Sequence, residues 1–475
     1  MTGGGPRFDY YVDSVNGSDS NSGTSAASAF QNLTAVPTLT QGKRLGLARG
    51  SNWRQKIAIT ATNCTIAAYG SGAAPIIDGS DPVSSGSWSL AATTTKTYQA
   101  SVTIDTIGGA SYFLNVWENG KFLTRATSLA NCDATAGSYW FSSEAGGTIT
   151  LYVHPTGDTN PGTNGKTYEF SARDTCLLAD KANTTVSGIE TKRSLNFNGS
   201  LWVGDNSTVT NCIARDGSKH NMFVRQGSTV SGCTATNGYY GTGSAALFCH
   251  FNDIATGGVV TYNNCTASND AASALVGGFI GHIGTSGTFG TTTFNGCSVT
   301  NCSTAYNAGA TARVDVINCT STGCSGAVAA QTAIVNITGG THDCTGPTIS
   351  VTSASVTVNI SGNASLSSGS GQSVIRSLVS GTTLNVTNCS FPKFGGWMIQ
   401  CTGTGSSLTA SGNTYNSSIG FFGYYDLPAN FTLNSDNNVF GIAAHNSARI
   451  NGTTYTSLSA YVTATGQDTH STALA

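Results

Sequence analysis

Glu190, Lys192 and Arg193 fall together in one short stretch, and Arg215, Asp216, Lys219, His220 and Arg225 follow in the next. Such a grouping supports three kinds of chemistry. Glu190 and Asp216 can simply neutralise Lys192 and Arg215 in a closed ion-pair network, an arrangement that contributes little on a surface. Alternatively, Arg215 and Lys192 hold the carboxylate of an acidic sugar, Arg193 assists binding, and Lys219 or His220 removes the proton beside that carboxylate in a β-elimination. Hydrolysis would instead need two carboxylates, ~5–5.5 Å apart for retention or ~6.5–9.5 Å for inversion. Glu190, Asp216, Asp253 and Asp270 are the candidates for that pair.

Downstream, Tyr239 and Tyr240 lie in a long glycine-flanked loop, where their rings either stack on sugars or cap the edge of the core. His250 and Asp253 follow at once, and Gly281-His282 ends the next long segment. Long loops beside charged strands carry function more often than short ones. Cys249-His250 alone makes no zinc site, which needs convergent ligands. No D-x-D cluster gathers the oxygens that calcium takes. No metal or other cofactor is called, with calcium left open.

Whatever positions these residues is not helical. Of 475 residues only 21 are Lys or Arg and 23 Asp or Glu, 9% in all, against about 25% in an ordinary soluble domain. Glycine supplies 59 residues, and no long Ala/Glu/Lys/Leu/Arg stretch suits a coiled coil. The formal net charge of −2 provides no basic footprint for nucleic acid. The opening MTGGGPRFDYYVD has no signal-peptide pattern. No apolar run is long enough for a transmembrane helix.

From about Thr184 the chain aligns on itself: TTVSGIETKRS, STVTNCIARDG, STVSGCTATNG, VVTYNNCTASND, GTTTFNGCSVTN, ARVDVINCTSTG and further copies. The spacing, roughly 20–30 residues, suits a solenoid repeat. Each copy alternates β-branched and polar residues, then breaks at Asn or Gly, residues that tolerate a left-handed backbone. A unit this small cannot bury its face alone, so the units stack as a parallel β-solenoid. The recurring Cys after Asn or Gly then points inward as a reduced thiol, and most of the 14 cysteines share that setting. With Cys212 inward, Arg215 points out, and Lys192 lies beside it one coil earlier. Residues 85–172 break the repeat and hold most of the bulky aromatics. There NVWENGKFL reads as a hairpin turning at Asn119-Gly120, and GTITLYVHP as a strand.

Four stretches, Tyr10 to Val36, Leu47 to Pro82, Val116 to Pro161 and Ser457 to Ser471, resemble the right-handed parallel β-helix proteins of the pectate-lyase-like superfamily. Polysaccharide lyases, glycoside hydrolases and bacteriophage tailspike depolymerases belong to that group. The resemblance implies an all-β, right-handed single-stranded parallel β-helix with a small antiparallel insertion. Its parts would be a cap and first coils (1–84), the insertion (85–172), the main helix (173–456) and a closing segment (457–475) after which more chain is usual. It further implies a polysaccharide substrate, a homotrimer, no nucleic acid or membrane partner, and a virion-tail or extracellular location. The concentrated charges being mostly basic, a lyase acting on an acidic polysaccharide is the expected activity, with a hydrolase or a non-catalytic glycan-binding protein as alternatives. Phe421-Phe422-Gly423-Tyr424-Tyr425-Asp426 is expected as an aromatic loop that plugs the helix end, meets a partner subunit or offers a second carbohydrate platform.

Overall fold

The computed structural model describes residues 7–106, 114–143, 146–195, 199–238, 245–252, 258–270, 276–283, 290–307, 309, 312–416, 423–441 and 448–473; the side chains of 245, 246, 250–252, 282 and 283 lie outside that description. The chain forms two compact units, Met1–Val224 with Thr234–Leu247, and Arg225–Cys233 with Phe248–Ala475.

In the first unit, short strands recur in three parallel sheets. One runs Tyr10–Val12, Arg44–Ala48, Thr65–Tyr69, Thr185–Ser187, Thr208–Thr210. A second runs Asn52–Trp53, Ile76–Asp78, Glu190–Lys192, Ile213–Arg215, Thr234–Thr236. Ile57–Ala58, Leu177–Ala179, Leu201–Val203 and His220–Arg225 make the third. Because the side-chain period of a strand is two, one face turns inward. Leu45, Ile66, Val186 and Val209 align in register as a buried column.

Thr65–Tyr69 pairs directly with Thr185–Ser187, and Ile76–Asp78 with Glu190–Lys192. The coils therefore continue across the intervening residues as though nothing were inserted. Those residues build antiparallel structure: Gly147–His154 pairs with Tyr98–Ile104 and with Ser138–Phe141 around a core that includes Leu151 and Tyr139. Val116–Glu118 and Lys121–Phe122 form the expected hairpin, with positive φ at both Asn119 and Gly120. Val116–Glu118 also pairs with Tyr168–Ser171, which pairs with Ser80–Pro82, and so the insertion is stitched to the coils.

The second unit repeats the three-sheet coil. Tyr262, Phe294, Val316, Ile337, Ile360, Val386 and Ala410 form one buried column in register. Its corners are left-handed at Asn264, Gly296, Asn318 and Asn388. A Cβ on Gly296 would lie 2.4 Å from Asn264 Oδ1, and one on Gly412 would lie 2.3 Å from Asn388 Oδ1. An asparagine side chain thus occupies the space above itself, and glycine must follow it in the stack.

All 14 cysteines are free and buried. Burial pushes the Cys389 thiol up to about 11 and Cys401 up to about 12, so these are packing groups. Beyond Cys389 the same inward position passes to Asn413 and then Asn438. There amide bonds replace thiol packing: Asn413 Oδ1 accepts from Cys389 N at 2.9 Å, and Asn438 Oδ1 from Asn413 N at 3.0 Å. The helix Leu458–Thr465 and the following turn close this end. Asp468, 2% exposed, accepts from Asn438 Nδ2 (2.9 Å), Tyr461 Oη (2.9 Å) and Ser471 Oγ (2.7 Å). Tyr424 and Tyr425 are buried in this region, Tyr425 opening the strand Tyr425–Leu427. They are core residues instead of the expected loop, and Phe421 and Phe422 lie outside the described residues.

Replacing Asp468 with alanine strands the buried donors of Asn438 and Tyr461, which have no water to turn to. Asp468→Ala is expected to cost about 2–3 kcal/mol, read as a lower urea midpoint with early loss of amide protection around Asn438.

Candidate functional site

The charged residues meet on the second sheet of the first unit. Glu190 lies in register with Ile213, and Lys192 between Asp78 and Arg215, as the parity of the repeat predicts for the Lys192–Arg215 pair. Two cations one strand spacing apart repel unless carboxylates intervene, and carboxylates do intervene. Arg215 Nε is 2.7 Å from Glu190 Oε1, and its Nη1 is 2.7 Å from Asp216 Oδ2. Lys192 Nζ is 3.1 Å from Asp78 Oδ2. Asp78 is fully buried, its other oxygen accepting from Ser80 N at 3.0 Å and Ser80 Oγ at 2.7 Å.

Arg193 and Asp216 occupy successive copies of one corner, with φ of +62° and +56°. Asp tolerates that backbone; for Arg it costs about 1–2 kcal/mol. The conformation turns the Arg193 guanidinium onto the insertion. There it meets Glu169 at 2.5 Å and lies 5.0 Å over the ring of buried Trp117. Glu169 is also held by Arg54. Four carboxylates thus face four cations in a half-buried cluster, and the insertion supplies Glu169 and Trp117.

Within it, Asp216 is the perturbed acid. Burial raises its carboxyl above the usual carboxylate range, against the opposing pull of Arg215, Arg193 and Lys192. For Arg215, burial disfavours the charge, but Glu190 and Asp216 outweigh it and raise the guanidinium further. The Glu190 and Asp216 oxygens that it holds each lie 2.7 Å from a nitrogen of the same guanidinium, so they stay below the ~9.5 Å upper limit for a carboxyl pair in glycoside hydrolysis.

The remaining candidates are placed differently. His220 is 0% exposed, its ring 6.2 Å from that of Phe223. The expectation that it draws a proton from a bound sugar meets a fully buried ring at the start of the strand His220–Arg225. Lys219 is half-buried. Lys192 and Arg193 are engaged by Asp78 and Glu169, so neither presents an uncompensated charge to an anionic sugar. Tyr239, Tyr240 and Asp253 lie outside the described residues, as do the side chains of His250 and His282. Asp270 is described and exposed. Among the described residues no His, Cys, Asp and Glu gather as a metal site, and no helix is long and apolar enough to cross a membrane.

Asp78, Glu169, Arg54 and Trp117 escaped the sequence reading. Asp78 aligns with Lys192 only once the insertion is removed, and Glu169 lies within it. The one available cue was that IID before Gly79 matches the ETK before Arg193.

Coils of three parallel sheets with a charged outer face and an antiparallel insertion define a right-handed parallel β-helix protein. Among solved structures, the complex of XylC with xylose matches at 10% identity and TM-score 0.59, covering 98% of this chain and 85% of that one. A protein described as a glycoside hydrolase matches at 9% identity and TM-score 0.40, covering 93% and 94%. The tailspike protein gp49 from Pseudomonas phage LKA1 matches at 15% identity and TM-score 0.24, covering 86% and 72%. No family model matches the chain, and no curated protein does.

Arg215→Met leaves Glu190 and Asp216 facing each other without their cation. It is expected to lower stability by about 1–3 kcal/mol, less than a fully dry pair because the cluster is partly solvated, measured by urea unfolding. His220→Ala is expected to cost about 2 kcal/mol or more by opening a core cavity, visible as a lowered Tm.

Proposed function

We propose that this protein is a carbohydrate-active enzyme that hydrolyses glycosidic bonds in a polysaccharide, with Asp216 as general acid and Glu190 as base or nucleophile. The observation that carries the reading is the pair itself: two carboxyl side chains held by one guanidinium on a solenoid face, one of them pushed up by burial. A carboxyl that stays protonated to higher pH suits the acid's role. Sugar binding on this fold in the complex of XylC with xylose supports the substrate class.

The reading turns away from the expected lyase for a physical reason. β-Elimination needs cations free to hold a uronate, and here Arg215 and Lys192 already hold carboxylates of the protein. Of its two proposed bases, Lys219 and His220, the second is buried. The cluster is balanced in charge, which favours a neutral glycan. A homotrimer in a virion-tail or extracellular setting remains part of the proposal, and light scattering reads the trimer.

An acid must be protonated to donate, so activity falls as pH rises through the Asp216 pKa. Burial moves that fall to higher pH than an ordinary aspartate would give. Glu190→Gln and Asp216→Asn are each expected to lower kcat by roughly 10²–10⁴-fold, and Asp216→Asn to flatten the alkaline limb. The assay follows reducing ends and ultraviolet absorbance on a panel of neutral and acidic polysaccharides. Reducing ends without new absorbance support hydrolysis; new absorbance means an unsaturated uronate and overturns it. Full activity in both variants would remove this pair as the site.

A further inference from the structure

The second unit carries a regular polar ladder on the outer face of one sheet. Asp315, Asn336, Asn359 and Asn385 lie in register on successive strands. Asn336 Nδ2 donates to Asp315 Oδ1 at 2.7 Å, Asn359 Nδ2 to Asn336 Oδ1 at 2.8 Å, and Asn385 Nδ2 to Asn359 Oδ1 at 2.8 Å. Arg313 Nε meets Asp315 Oδ1 at 2.8 Å, so the one carboxylate of the ladder has its counter-charge. A groove of about 450 Å³ lies along it, lined in part by Arg313, Asp315, Ile334, Asn336 and Asn359.

A carboxamide has two N–H donors and an oxygen with two lone pairs. The ladder uses one donor and one lone pair each at Asn336 and Asn359, leaving one of each at both rungs. Asp315 Oδ2, on a residue 8% exposed that lines the groove, accepts no hydrogen bond among the described residues. Thr338 and Ser361 add hydroxyls along one side, and Thr357 follows Ile334 along the other. The remaining capacity therefore repeats every ~4.8 Å along the stack.

We propose that this ladder is a binding site for a neutral, hydroxyl-rich linear polysaccharide, separate from the Glu190–Asp216 pair. A hydroxyl both donates and accepts, which matches what each rung leaves open, and a linear polymer meets the same pair at rung after rung. Apart from the internally neutralised Arg313–Asp315 pair the groove is uncharged, which suits a neutral ligand. A protein partner would want an apolar centre, and the face offers only Ile317 and Ile334. The proposal rests on the carbohydrate reading above and extends it to a surface that holds substrate without cleaving it.

The test uses the full chain bearing Glu190→Gln, run in native gels cast with arabinoxylan, galactomannan, mixed-linkage β-glucan or an anionic carboxymethyl cellulose. The expected result is retardation by at least one neutral polysaccharide. The apparent Kd rises tenfold or more in Asn336→Val/Asn359→Val/Asn385→Val and about two- to threefold in Asn359→Val alone. In the chain with Glu190 intact, the same ladder substitutions leave kcat on short oligosaccharides unchanged. Unchanged retardation in the ladder variants overturns the proposal, as does retardation confined to the anionic polymer or none at all. A changed oligomeric state in the triple variant overturns it too, since the face would then be a subunit contact. Should the triple variant fail to fold, Asn359→Val decides. Hydrolysis is judged separately by reducing ends released from the same panel by the chain with Glu190 intact, so loss of the ladder site and loss of the enzymatic reading are distinguishable.

Discussion

Parallel stacking in register places every side chain about 4.8 Å from its counterpart on the next coil, and most of what is distinctive in this chain follows from that spacing. Inside, it rewards shapes that repeat, as in the columns from Leu45 to Val209 and from Tyr262 to Ala410. At the corners it sets asparagine against glycine, because the Asn264 side chain fills the place where a Cβ on Gly296 would go. Outside, it penalises like charges, which is why a chain with only 9% charged residues is consistent with this architecture.

The same spacing explains the cluster at Arg215. Cations in one column persist only with carboxylates interleaved, and Asp78, Glu190 and Asp216 fill that role for Lys192 and Arg215. Arg193 breaks the pattern. It stands at a left-handed corner where later coils place Asn237 or Asn301, and its contacts with Glu169 and Trp117 offset the backbone strain. The insertion is thereby tied to the coil that carries the proposed carboxyl pair, both through its strands and through one arginine. Burial raises the pKa of Asp216 against the opposing pull of Arg215, Arg193 and Lys192, so desolvation, not the ion-pair network, makes it a weaker acid than an ordinary aspartate.

The interior shows how little the stacking demands of chemical type. One inward position is a thiol at Cys319 and Cys389 and an amide at Asn413 and Asn438. The change comes as the closing segment approaches. An amide extends hydrogen bonds along the stack, and Asn438 passes that chain of bonds to Asp468 and Ser471. A thiol column has no comparable way to end.

Much of the architecture was legible in residues 184 onward, where alternation, the Asn or Gly break and the following Cys recur. These are local properties, and they determined the strands, the left-handed corners, the inward thiols and the pairing of Lys192 with Arg215. The hairpin at Asn119-Gly120 was legible for the same reason, its turn residues being sufficient to specify it. The membership and polarity of the site were not. Asp78 and Glu169 reach Lys192 and Arg193 across the inserted residues, and His220 follows Lys219 in sequence yet faces the core. Sequence determined which residues repeat and which face of a strand they take, because those depend on near neighbours. Tertiary structure alone decided which further charges join Glu190, Arg215 and Asp216, because Asp78, Glu169 and Arg54 reach the cluster through coils brought together by stacking and an insertion folded back against them.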